Sequence, residues 1–246
     1  MDPMIYRARE SQLSYGRPIG IIVLEERIPC PPGTPGNPTT FAYPVCYEVA
    51  RDVSAAGLRE TVPKGLESFI AAGRRLVERG AWGVAGNCGL MIVHQEALAR
   101  ALPVPVFLSS LLQLPLISRM LSPDAAIGIV ASGAKSLSTE HLRLARAGGD
   151  ARVVLASMEG QPAFAAAVRD ERGELDFEAV TAEAVQVART LVARHPEVKA
   201  LLFECVDLPP YAHAVQEAVG IPVFDMTTLI EHYHSALVRK PFCGVY

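Results

Sequence analysis

At 246 residues, half of them hydrophobic and 20% charged, the chain has ordinary globular composition and length for one large domain or two small ones. A net charge of −3 and a pI near 6.1 give no basic field for nucleic acid, and no block of like charges marks a membrane-surface helix, so a small molecule is the expected partner. Charges interrupt Met1 to Glu10, where a signal peptide needs an apolar core, and no apolar run reaches the roughly 18 residues of a membrane span, so a soluble, cytoplasmic protein is expected.

Apolar runs alternate with helical patterns from the start. Ile19 to Leu24 reads as the first strand. The segment 29–44 opens with Pro29-Cys-Pro-Pro-Gly-Thr-Pro-Gly-Asn-Pro38, too rich in Pro and Gly for a regular element; it is either a binding loop or a solvated connection. Leu66, Phe69, Ile70, Leu76 and Val77 mark a helix to Arg79, with Gly80 as its stop. Ala81 to Gly86 is the next strand, Leu90 to Leu102 a helix, and Val104 to Leu108 a strand. Ile127 to Val130 then repeats the first strand. Ala179 to Arg194 is an amphipathic helix, Val198 to Phe203 a strand, Tyr211 to Val219 a helix, and Ile221 to Phe224 a strand. A last helix, Leu229 to Val238, follows and could pack back on the first half. The predicted fold is α/β, with two pseudo-symmetric flavodoxin-like lobes built on parallel sheets and the active site in the cleft between them. Residues 18–122, with the C-terminal helix of about 229–246, form the first lobe, and 123–228 the second.

The repeat puts a cysteine at the same place in each half. Cys88 to Cys205 spans 117 positions, as do Pro105 to Pro222 and Phe107 to Phe224. Both thiols fall beyond the carboxyl end of a strand, where open parallel sheets bind ligands, and just ahead of a predicted helix whose free amides favour a thiolate. Two thiols flanking one carbon can move a proton on or off it. Asn87 and Gly89 beside the first thiol suit a carboxylate oxygen or simply a strand-to-helix turn, and Ser110 and Thr227, again 117 apart, stand beyond the fourth strands. Glu204 and Asp207 beside Cys205 would hold it protonated. Cys88, with no carboxylate next to it in sequence, is the expected base and Cys205 the acid. Cys30, Cys46 and Cys243 complete an odd count with no Cys-x-x-Cys pair, and no histidine stands at zinc-ligand spacing, so neither a disulfide framework nor a metal is expected. Gly20, Gly128 and Gly148-Gly149 make no Gly-x-Gly-x-x-Gly, so a dinucleotide fold is not supported.

Gly86-Asn-Cys-Gly-Leu-Met91, Pro105-Val-Phe-Leu-Ser-Ser-Leu-Leu-Gln113, Glu204-Cys-Val-Asp-Leu-Pro-Pro-Tyr211 and Gly220-Ile-Pro-Val-Phe-Asp225 resemble the aspartate/glutamate racemase superfamily from Pro18 to about Val238. The resemblance implies two opposed cysteines, Cys88 and Cys205, acting as acid and base without cofactor at the carbon alpha to a carboxylate. It also implies groups that bind that carboxylate after the second lobe's first strand, the hydroxyls of Ser132 and Ser136 and the ammonium of Lys135. Where characterised racemases follow the two cysteines with Asn-Thr and with Thr, this chain has Gly89 and Val206, and its signatures look closer to a branch that includes algal dimethylsulfoniopropionate lyases. Those use the same pair for alpha-proton abstraction and beta-elimination; superfamily decarboxylases keep one cysteine, which two here disfavour.

The expected function is a cofactor-independent racemase or epimerase of a small carboxylate or amino acid. The alternative is a lyase using the same cysteine pair, and a further alternative is a two-lobed protein that only binds a small carboxylate. No nucleic-acid or membrane partner is expected, and a homo-oligomer is compatible with the sequence.

Overall fold

The computed structural model describes residues 15–16, 18–55, 57–59, 65–133, 137–145, 151–242 and 244. Lys135, Ser136, Cys243 and the Gly148-Gly149 pair lie outside them. Eight described strands form two four-stranded parallel sheets. The first contains β1 (Ile19–Leu24), β2 (Val45–Ala50), β3 (Gly83–Gly86) and β4 (Val106–Phe107) in the order β2-β1-β3-β4. The second contains β5 (Ala126–Ala131), β6 (Val153–Ser157), β7 (Val198–Phe203) and β8 (Val223–Phe224) in the order β6-β5-β7-β8. The equivalence of the two orders is the structural form of the sequence repeat, and the fold is α/β as expected.

Helices cover the sheets: α1 (Leu66–Glu78), α2 (Gln95–Ala101), α3 (Leu114–Met120), α4 (Thr139–Ala145), α5 (Pro162–Phe164), α6 (Phe177–Arg194), α7 (Ala212–Val219) and α8 (Met226–Leu237). Strand periodicity sorts side chains between the faces. On β5, Ile127, Ile129 and Ala131 join a core continuous with the first lobe, while Ala126 and Val130 face α6; on β7, Ala200 and Leu202 divide from Leu201 and Phe203 in the same way. A third cluster puts Met226, Leu229 and Ile230 of α8 against Ile19, Ile21, Ala85 and Phe107 of the first sheet, with Tyr233 stacked on Phe107 at 4.4 Å. Gly20 and Gly128 hold equivalent places under the helices. A Cβ on Gly20 would stand 2.9 Å from Leu76 of α1, and one on Gly128 2.7 Å from Leu191 of α6. That close packing, not a nucleotide, accounts for both glycines.

Several boundaries differ from expectation for local reasons. Residues 90–102 are not one helix: Gly89–His94 is a 3-10 turn and α2 begins only at Gln95. Pro209–Tyr211 is likewise a 3-10 turn ahead of α7. Helix α8 starts three residues before Leu229, because Asp225 accepts from Thr228 N–H while Thr228 Oγ1 accepts from Asp225 N–H, a capping box. In the segment 29–44 only Pro38–Thr40 makes a helical turn.

Candidate active site

The two cysteines are placed by the same backbone device. Asn87 N–H donates to Ile22 O and Glu204 N–H to Val130 O, both at 3.0 Å, which carries each ladder one step past its strand. A turn follows at once: Met91 N–H donates to Cys88 O (3.0 Å) and Leu208 N–H to Cys205 O (3.2 Å). Both thiols thereby line one cleft of about 350 Å³, together with Asn87, Gly89, Ser132 and Val206. Six of the residues read from the sequence thus converge. Ser110 and Thr227 do not line it. Ser110 is fully buried and donates to Phe203 O at 2.9 Å, while Thr227 donates to Asp225 Oδ1 at 2.7 Å, so both hydroxyls are spent on the frame behind the cleft. Asn87 Oδ1 accepts from Leu24 N–H (3.1 Å), which identifies its NH2 group as the donor it can offer a substrate.

Of the charge of the cleft, only Glu204 and Asp207 were legible in the sequence. Among the described lining residues, Glu26, Glu159, Glu171, Glu204 and Asp207 are carboxylates, and Arg169 is the single guanidinium, itself donating to Asp170 at 2.8 Å. Glu26 stands just beyond β1, at the carboxyl edge where ligands bind, a positional signal that could have found it. The wall from Met158 to Glu171 carried no such signal. There α5 runs into a π-helical turn, Ala165–Arg169, and Glu171 sits at φ +47 and accepts from Arg27 N–H of the opposite lobe at 3.0 Å. The Pro/Gly-rich segment also touches the second lobe, Gly33 lying against Pro210, and Thr34 next to it is buried. Among the described residues no group of three or more His, Cys, Asp and Glu side chains could hold a metal ion.

The thiolate expected at Cys88 is not favoured here, whereas Cys205 is raised in the direction its flanking carboxylates suggest. Leu90 N–H does favour the Cys88 thiolate and Asp207 N–H that of Cys205, but these are single amides of short turns. Burial outweighs them and raises both thiols well above their ordinary range, with Glu204 and then Glu26 adding to the effect at Cys88, and Asp207 and then Glu204 at Cys205. The premise that Cys88 has no neighbouring carboxylate is also corrected, because Glu204 packs against Gly89. The thiols differ instead in bonding. Cys205 Sγ donates to Asp207 Oδ2 at 3.4 Å, and burial lifts that carboxyl to about 6.

No family model matches the chain. Comparison with solved structures decides the fold. Unliganded arylmalonate decarboxylase superposes with a TM-score of 0.59 at 15% identity, over 91% of this chain and 93% of that one, and a glutamate racemase isoform from Bacillus anthracis with 0.55 at 15%, over 91% and 85%. The chain has the aspartate/glutamate racemase fold. Its sequence relatives are dimethylsulfoniopropionate lyases, the branch that the cysteine motifs resembled. Lyase 5 of Emiliania huxleyi is 32% identical over 92% of this chain and 47% of its own length, and the lyase of Durusdinium sp. clade D 29% identical over 92% and 77%. The chain thus spans about half the length of the first of these relatives. No helix among the described residues is long and apolar enough to cross a membrane.

Proposed function

We propose that this racemase-fold chain is a lyase that removes the proton alpha to a carboxylate and expels a positively charged substituent from the beta carbon. The observation that carries this reading is the charge of the cleft, five carboxylates to one guanidinium around two thiols among the described lining residues. A substrate with only a carboxylate would meet repulsion there. A zwitterion with an onium group would set its cation against the acids and its carboxylate toward Asn87, Ser132 and Arg169. Dimethylsulfoniopropionate, named by the sequence relatives, has this charge pattern.

In the proposed mechanism, which exchanges the base and acid expected from the sequence because Cys205 has the carboxylate partner, Asp207 takes the Cys205 proton through their hydrogen bond, and the thiolate removes the alpha proton. The electron pair left on carbon forms the double bond as the beta carbon–sulfur bond breaks, and sulfur leaves as a neutral thioether that needs no proton. Cys88 stays a thiol and donates a hydrogen bond to the substrate carboxylate as negative charge builds on it. Asp207 returns its proton to solvent. No cofactor is needed for these steps. The test is proton NMR of the chain with dimethylsulfoniopropionate in deuterium oxide. Acrylate and dimethyl sulfide are the expected products. Deuterium at the alpha carbon without an olefin would favour the racemase reading, which the two-fold placement of the thiols also suits, and neither outcome would leave a binding protein.

A further inference from the structure

The sequence repeat makes Asn87 and Glu204 equivalent, each one residue ahead of a cysteine, and their backbone N–H groups make equivalent ladder bonds. Their side chains break the symmetry. Asn87 turns to Leu24 of its own lobe. Glu204 is 2% exposed and packs across the cleft: a Cβ on Gly89 would stand 2.3 Å from its Oε1 and 2.4 Å from its carbonyl oxygen. Contact that close leaves no room for water between the carboxylate and the turn that holds Cys88.

We propose that Glu204 is a positioning residue that acts through Cys88: its carboxylate, delivered from the second lobe, holds Cys88 in the thiol form, so that the hydrogen-bond donor of the pair is set by the opposite lobe. The inference rests on the reading of Cys205 as the base and Cys88 as the hydrogen-bond donor and adds a division of labour, Asp207 serving Cys205 and Glu204 serving Cys88. Among the described residues, the charged and titratable groups that bear on Cys88 are Glu26 beyond β1, and Glu204, Asp207 and Cys205 beyond β7. Every carboxylate in that set opposes a thiolate, Glu204 most strongly, while the Leu90 amide favours one. Gly89 is a glycine because any side chain there would push the Glu204 carboxylate away.

The test is mass-mapped alkylation of Cys88 and Cys205 across pH in the full chain, comparing wild type with Glu204→Gln, Glu204→Asp and Asp207→Asn. Glu204→Gln is expected to move the Cys88 profile toward lower pH, giving about tenfold faster alkylation on its rising limb, with a smaller effect at Cys205. Glu204→Asp should fall between, and it carries the test alone if the Gln variant does not fold. Asp207→Asn should move Cys205 more than Cys88. A Cys88 profile unchanged in folded Glu204 variants, or moved as far by Asp207→Asn, overturns the proposal. Alkylation is read without turnover, so this result is separate from the product assay that tests the lyase reading itself.

Discussion

Cys205 and Asp207 form the asymmetric element of an otherwise paired site, and their bond has a consequence for pH. In the proposed relay Asp207 must be ionised to take the thiol proton, and burial raises its carboxyl to about 6. Turnover should therefore rise with pH through about 6, and Asp207→Asn should abolish that limb while lowering kcat; a limb that persists in the variant would remove Asp207 from the relay. The same shift bears on stability. A carboxyl at 3.8 in the unfolded chain and about 6 in the folded one keeps its proton longer when folded, so folding loses stability as pH rises across that window. Urea midpoints of Asp207→Asn should accordingly gain on wild type from pH 4 to pH 7. Replacing either Cys88 or Cys205 by Ala should cost about 10²–10⁴ in kcat with an unchanged circular dichroism spectrum. Wild-type rates in either folded variant would end the thiol mechanism.

The elements that carry these residues depend on close helix-to-sheet contact. Gly128 on β5 lies under Leu191 of α6 and beside Leu201 of β7, and a methyl group there would stand 2.7 Å from the first and 2.8 Å from the second. Gly128→Ala is expected to destabilise the chain by about 1–3 kcal/mol through overpacking, read as a lowered urea midpoint. An unshifted midpoint would mean that α6 can move outward freely. The short 3-10 turns after each cysteine belong to this scale too. Hydrophobic spacing marks helices over residues 90–102 and 211–219, but it does not say that a 3-10 turn stands at the head of the first and ahead of the second, so that neither cysteine directly abuts an α-helix.

Across the whole molecule, the lobes are joined unequally on the two sides of the cleft. Behind it, Ser110 bonds Phe203 O, and Gln113 Nε2, buried, donates to Asp225 O at 2.8 Å. At the mouth, the exposed Arg27 amide meets an exposed Glu171 carboxylate. Gln113→Ala removes the donor that ties Asp225 O to the first lobe, while that carbonyl still accepts from Thr228 Oγ1 and Leu229 N–H, so it should cost about 0.5–1.5 kcal/mol, whereas Glu171→Gln should cost little. Hydrogen exchange should likewise find the Arg27 amide far less protected than Leu202 in the core strand β7. Equal protection would argue that the cleft does not open at its mouth.

The sequence by itself determined the paired lobes, the parallel strands and the convergence of Cys88 and Cys205. Each of these follows from a local pattern repeated at a fixed spacing: apolar runs of strand length, amphipathic stretches between them, and one cysteine at each strand end. Tertiary structure alone decided the electrostatics of the cleft. Glu204 is next to Cys205 in the chain, yet its carboxylate lies against Gly89 and bears most strongly, among the charges, on Cys88; Glu159 and Glu171 join the lining from a wall with no sequence signal. Ser110 and Thr227 kept the symmetry of the repeat but bond to Phe203 O and Asp225 instead of facing the cleft. Periodicity fixes which face of an element is buried, but the distance between charges on different lobes is set by how two sheets and their covering helices pack, and that distance sets how strongly each carboxylate bears on each thiol.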